Sequence, residues 1–556
     1  MDILLVASAF NSLSQRVYAE LSDLGHRVDV VLAGHGPDAV RAAVQDRRPE
    51  LIVAPMLKTA LPEDVWREHT CLIVHPGPPG DRGPSSLDWA IAGQGPSWGV
   101  TVLQAEAAMD AGAVWASEPF PVEPVGKSDL YRGEAADAAL TAVHEAVRRY
   151  AEGSYKPRPQ SDPEIHGRIV WRDVFRQVRR RIDWAADDTE AVLRKLRGAD
   201  SQPGVLDELL GREVFLHGGH PEDRLTGEPG ELLATRAGAV CRATRDGAVW
   251  IPELRPRKNS GDPAPFRRPA ADVLAAPDLP ESPAPLELPP DRRTWTDITY
   301  RQHGDVGFVR FSFPGGAMST DHCRRLLAAY EYALARPTRV IVLGGRRDFF
   351  SNGIHLNVIE AAPDPAEESW TNLNAMDDLV EAVLRTTDRL VVAALGGNAA
   401  AGGAMLALAA DEVWCRTGAV LNPHYRRMGL YGSEFWTYTL PRRVGAETAR
   451  RLMDEAQPVS AATAARTGLV DRLVPVPAQD FTAEVEQLAA ALAGTPDLDR
   501  RIAAKAAARR ADEAVRPLAE YRSDELARMH ALFFDPGAAY HALRSDFVRK
   551  VPGGAR

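Results

Sequence analysis

"CLIVHPGPPGDRGPSSLDWAI" (71–91) passes from an apolar run into a loop built almost wholly of His, Pro, Gly, Asp and Arg. A short apolar run closed by turn residues reads as a strand buried on both faces, and here it ends at His75. The Pro/Gly loop beyond His75 cannot continue the strand. Proline fixes φ and lacks a donor, while glycine lets backbone approach a ligand closely. His75 is therefore expected at the carboxyl end of a strand, where open α/β sheets gather their ligands.

Working outward, "DILLVAS" (2–8) reads as a strand and "SLSQRVYAELSDLG" (12–25) as an amphipathic helix stopped by glycine. "HRVDVVLA", "AVRAAVQDRR" and "ELIVAPM" repeat strand, helix and strand, so residues 1–158 are expected to form a parallel α/β unit. The helix opening "NSLSQR" lacks the glycines of a dinucleotide fingerprint, which rejects NAD. Residues 159–257 begin with helical "DTEAVLRKLRGAD" and continue in short strands such as "AVCRAT" and "AVWIPEL", a small β-rich, OB-like unit. The proline-rich stretch 258–293 reads as an extended linker or surface strap. A third unit, again α/β, is expected over 294–477, with a helical Ala/Arg/Glu-rich tail over 478–556.

At 556 residues the chain is too long for one core, and 45% hydrophobic with 26% charged residues is an ordinary globular composition. A net charge of −10 argues against nucleic acid as the main partner, while a local basic patch still suits a phosphorylated small molecule. Cys71, Cys241, Cys323 and Cys415 have no metal-ligand spacing, so neither a metal site nor a disulfide framework is expected. "MDILLVASAF" has no basic residue before Arg16, unlike a secretory signal, and the longest apolar run, around 399–410, is too short to span a bilayer. The expectation is a cytoplasmic protein acting on small molecules, with no membrane partner.

The strand ending in His75, its Gly/Pro loop, and "WGVTVLQAEAAMDAGAVWASEPFPV" (98–122) resemble the 10-formyltetrahydrofolate-dependent formyltransferases. The resemblance implies that His75 is the general acid/base and that Asp110, in the D-x-G loop, fixes its protonation. It also implies 10-formyltetrahydrofolate as a cofactor, and a formyltransferase C-terminal-like unit over 159–257. Formyl transfer needs proton movement, stabilisation of oxyanion charge and exclusion of water. One position departs from that family: the Asn two residues before the His is Ile73 here.

"DFFSNGIHLN" (348–357), "NAAAGGAMLALAAD" (398–411) and "SAATAARTGLVDRLVP" (460–475) resemble, in order, the crotonase (enoyl-CoA hydratase/isomerase) superfamily. There, two backbone N–H groups grip a CoA thioester oxygen, and by position they fall on Ile354 and Gly402. The first hydratase Glu position is Met405, and the second falls on His424 or Tyr425, depending on the direction of counting. That excludes water addition. A new acid, Glu434, stands in "LNPHYRRMGLYGSEFW" (421–436), with Tyr425, Tyr431 and His424 nearby in sequence. The expected catalytic set is His75, Asp110, Glu434, Tyr425, Tyr431 and His424. The expected cofactor-binding set is Ile73, Met56, Lys58, Ile354, Gly402 and Gly353. His355, at the family's usual Asp, reads as structural.

The joined architecture, to the tail "YRSDELARMHALFFD", resembles the HypX/HoxX family of hydrogenase maturation factors. That resemblance implies formyl transfer to coenzyme A, splitting of formyl-CoA into CO and CoA, and delivery of CO to the [NiFe]-hydrogenase maturation machinery. Glu434 is expected as the base and Tyr425 or Tyr431 as the proton donor, or the reverse. Two alternatives stay open: an enzyme that ends at formyl-CoA or formate, and a non-catalytic maturation scaffold.

Overall fold

In the computed structural model, which describes residues 1–165, 168–275 and 278–551, strands form where apolar runs meet turn residues. β1 (Asp2–Ala7), β2 (Arg27–Leu32), β3 (Leu51–Ala54) and β4 (Cys71–His75) pair in parallel in the order β2-β1-β3-β4. β5 (Asp81–Arg82) leaves the sheet, while β6 (Ser97–Gln104) and β7 (Val114–Pro121) complete it beyond β4, both antiparallel to their neighbours. The parallel expectation thus holds for four strands. The last two close as a hairpin, whose connection is too short for the crossover that parallel pairing needs. Helices Ser12–Asp23 and Glu134–Glu152 bury Leu13, Val17, Leu140 and Val143 on one face, and Val40 and Val44 cover the other.

The chain then runs back across its own first unit. β8 (Val170–Trp171) pairs in parallel with β5, so residues 170–172 lie against the loop beyond His75. Further on, two four-stranded antiparallel sheets and helix Thr189–Ala199 enclose a second core around Val192, Leu216 and Leu254. Part of the expected linker belongs to this unit. Arg268–Pro269 adds an edge strand, where proline's missing donor costs nothing, and helix Ala270–Leu274 buries Ala270, Val273 and Leu274.

The third unit holds a six-stranded sheet, antiparallel between Ile298–His303 and Val306–Phe311 and parallel thereafter. The 478–551 part of the expected tail is helical, and residues 552–556 lie outside the described residues. Helices Leu518–Phe534 and Ala539–Arg549 bury Met529, Phe533 and Tyr540 against Leu373. First and third units meet through ion pairs: Arg132 with Asp348 (2.7 Å), Arg347 with Glu134 (2.6 Å) and Asp129 (3.0 Å), and Arg416 with Asp137 (2.9 Å).

Candidate active sites

His75 ends β4 and is only 5% exposed. Its Nε2 lies 3.2 Å from Asp81 Oδ2, and its Nδ1 lies 3.6 Å from Asp110 Oδ2. Asp81 is thus the hydrogen-bond partner, and Asp110 stands just beyond that distance. Asp110 accepts instead from the Gly83 N–H at 3.1 Å. Sequence reasoning misses Asp81, although it sits inside the opening motif. Ser86 donates to it at 2.7 Å and Arg172 Nε also donates to it, the latter carried in by β8. Burial opposes the Asp81 charge, but hydrogen bonds from His75, Arg172 and Ser86 outweigh it and hold this carboxyl below its usual range. Small residues in the loop are a steric necessity: a Cβ on Gly77 would lie 2.3 Å from His75 Nε2.

Ile73 sits two residues before His75 on β4, opposite Leu103, and packs with the apolar cluster of Leu4 and Ile52. Met56 and Lys58 flank the end of β1. Met56 O accepts from the Ser8 N–H and the Lys58 N–H donates to Ser8 Oγ, each at 2.8 Å, which leaves the Lys58 side chain exposed.

In the third unit, Gly353, Ile354 and Gly402 come together. The Gly353 carbonyl accepts from Met318 at 2.8 Å, and a Cβ on Gly353 would lie 3.1 Å from the Gly402 nitrogen. Gly402 opens helix Gly402–Leu408, so its N–H has no partner within the helix. Met405 is fully buried in that helix among Leu406 and Leu408. His355 caps helix Leu356–Ala361, its ring accepting from the Val358 N–H at 3.4 Å; burial lowers its pKa to about 3, and it stays neutral.

Glu434 is 1% exposed, and its Oε1 would lie 2.3 Å from a Cβ on Gly402. Only a bare glycine leaves room for it. Its Oε2 accepts from Tyr425 Oη at 2.7 Å and from the Ser433 N–H at 3.1 Å. Burial first, then the neighbouring Asp377 charge, push the Glu434 carboxyl up to about 8; burial and Glu434 push the Tyr425 hydroxyl well above 10. The structure thus pairs Glu434 with Tyr425 and not with the other two candidates. Tyr431 turns toward the tail, 5.3 Å from the Trp436 ring and under the Arg528 guanidinium at 4.3 Å. His424 donates through Nδ1 to Asn422 O at 3.0 Å and, with Phe10, Gln15, Arg427 and Phe547, lines a cavity of about 200 Å³ between the first and third units. The three separate along the local backbone: His424 precedes the 3₁₀ turn that Tyr425 opens, and Tyr431 follows the left-handed Gly429 that ends it.

Fold and sites together define a formyltransferase-type unit joined to an enoyl-CoA hydratase/isomerase-type unit. The enoyl-CoA hydratase/isomerase family matches residues 304–536 and the formyl transferase C-terminal domain matches residues 176–265. The chain belongs to the HypX/HoxX family of hydrogenase maturation factors. It is 47% identical over 557 residues to hydrogenase maturation factor HoxX of Bradyrhizobium diazoefficiens, covering 99% of this chain and 95% of that protein. HypX of Aquifex aeolicus, solved in complex with tetrahydrofolic acid, is 43% identical with a TM-score of 0.94, covering 99% and 96% of the two chains. Methionyl-tRNA formyltransferase of Deinococcus radiodurans is 26% identical over 196 residues, 35% of this chain and 58% of that enzyme. Among the described residues, no helix is long and apolar enough to cross a membrane.

Proposed function

We propose that this protein makes carbon monoxide for the iron of a [NiFe]-hydrogenase, in the cytoplasm. A formyl group moves from 10-formyltetrahydrofolate to CoA, and formyl-CoA is then split into CO and CoA. The observation that carries this reading is the buried Tyr425–Glu434 pair lying against Gly402, with Met405 in place of a hydratase carboxylate.

At the first site His75 takes the thiol proton as sulfur attacks the formyl carbon, and returns it to the folate nitrogen as the C–N bond breaks. Asp81 and Asp110 face its two ring nitrogens and stabilise the imidazolium between these steps. Ile73, apolar where the relatives carry an amide, suits the thiol nucleophile. Met56 and Lys58 flank the folate. At the second site the Ile354 and Gly402 N–H groups hold the thioester oxygen. Glu434 removes the formyl hydrogen as a proton, the C–H electron pair becomes the carbon lone pair of CO, and the C–S pair leaves with sulfur. Tyr425 protonates that sulfur and recovers its proton from Glu434. Nothing else is consumed. The working units are 1–158, 159–257 extended by 268–274, 294–477 and the tail from 478.

The test is turnover of the purified full chain with 10-formyltetrahydrofolate and CoA, trapping CO on reduced haem while assaying formate. CO equal to the donor consumed supports the reading. Formate without CO, or no turnover at all, overturns it.

A further inference from the structure

Accepting Glu434 as the acid/base group of CO release, the geometry points to Asp377 and Glu525 as positioning residues that lock the turn carrying it against Gly402. Glu434 and Phe435 both adopt left-handed backbone, with φ of 61° and 60°. For residues with a Cβ this conformation is strained, so the turn persists only where its surroundings over-determine it. Two buried carboxyl groups, each from a different helix, supply that determination.

Asp377, on helix Pro365–Arg385, is 0% exposed; it accepts from the Glu434 N–H at 2.9 Å, and both its oxygens lie 2.9 Å from Ser433 Oγ. Glu525, on tail helix Leu518–Phe534, is 1% exposed; it accepts from the Phe435 N–H at 2.9 Å, the Thr437 N–H at 2.8 Å and the Thr437 hydroxyl. Among the described residues, every donor from 433 to 435 that leaves the turn thereby ends on one of two buried carboxyl groups. The charges also act on Glu434 itself. The groups facing it are Tyr425, Asp377, Glu525 and Cys323, with Arg522 beyond Asp377 at 3.9 Å. Burial first, then the Asp377 charge and more weakly that of Glu525, raise the Glu434 carboxyl to about 8.

The experiment uses the full chain with Asp377→Asn, Glu525→Gln and Glu525→Ala. It measures the pH profile of CO release from formyl-CoA, the KM and kcat of that step, and the infrared titration of the protonated carboxyl band that Glu434→Gln removes. Asp377→Asn keeps an acceptor oxygen but loses the charge, so both midpoints should fall by about one pH unit. Glu525→Ala frees the turn, and kcat should drop about 10²-fold at unchanged KM; Glu525→Gln, which keeps the acceptor, should recover most of that loss. Wild-type midpoints in Asp377→Asn, or no recovery by Gln over Ala, would overturn the assignment. Should Glu525→Ala fail to fold, the Asp377→Asn midpoints and the Glu525→Gln kcat still decide. Should the wild type release no CO, the reaction reading falls while the infrared midpoint still decides the positioning.

Discussion

Tyr425 donates to Glu434 at 2.7 Å, and both side chains are buried. Glu434→Gln keeps the shape and removes the base, so formyl transfer to CoA should survive while CO release falls about 10²–10⁴-fold and formyl-CoA accumulates, visible by mass spectrometry. The pH dependence has a definite sign. In the proposed reaction the base is the Glu434 carboxylate, and burial with Asp377 raises that carboxyl to about 8, so CO release should climb as pH rises through about 8 and then level. Tyr425, raised well above 10, stays a proton donor throughout. A profile that falls across that range would reverse the two roles. On the formyl side, Asp81→Asn should slow formyl transfer by a factor of ten or more, roughly, while CO release from added formyl-CoA is unchanged. His75 and Glu434 are readable in the sequence because each breaks a pattern: a histidine closing a strand, an acid where small residues are expected. Asp81 is not, since a loop of Pro, Gly, Asp and Arg does not say which carboxylate folds back onto the ring.

The elements that hold these groups are strands and helices cut short. The Gly402–Leu408 helix begins at a glycine because any larger residue would strike Glu434. Gly402→Ala should therefore displace the carboxyl and depress CO release by about 10²-fold with formyl transfer retained, a split that separate assays of the two half-reactions measure. Strand–helix alternation and the Gly-rich segments make the sheets legible. The proline-rich stretch misleads for a physical reason. Pro269 occupies an edge strand, the one place in a sheet where a residue without an N–H fits, and sequence spacing does not reveal which partner an edge will find. Tyr425 and Tyr431 are equally eligible in sequence; a 3₁₀ turn opening at Tyr425 and the left-handed Gly429 that ends it set the two side chains apart.

Across the whole molecule, Arg347 ties two units through Glu134, buried at 3% side-chain exposure, and Asp129. Burial first, then Asp348, push the Asp129 carboxyl up to about 7 even with Arg347 present. A carboxyl raised in the folded state stays protonated there between its ordinary value and about 7, so folded stability falls as pH rises through that window. Arg347→Ala removes the compensating charge. It should cost on the order of 3 kcal/mol near pH 8 and distinctly less near pH 5, as urea denaturation at the two pH values would register. Such long-range pairs are invisible in the sequence, because no spacing links residue 347 to residue 134.

The Glu525 clamp also has a consequence for how the protein is born. Chains fold from the N-terminus as the ribosome delivers them, so the His75 site, complete once Arg172 has emerged, assembles early. The turn bearing Glu434 waits for Glu525, whose carboxylate accepts from Phe435 across 90 residues of chain. A nascent chain would therefore close the pocket around His75 well before the turn bearing Glu434 is locked, so the two halves mature in sequence.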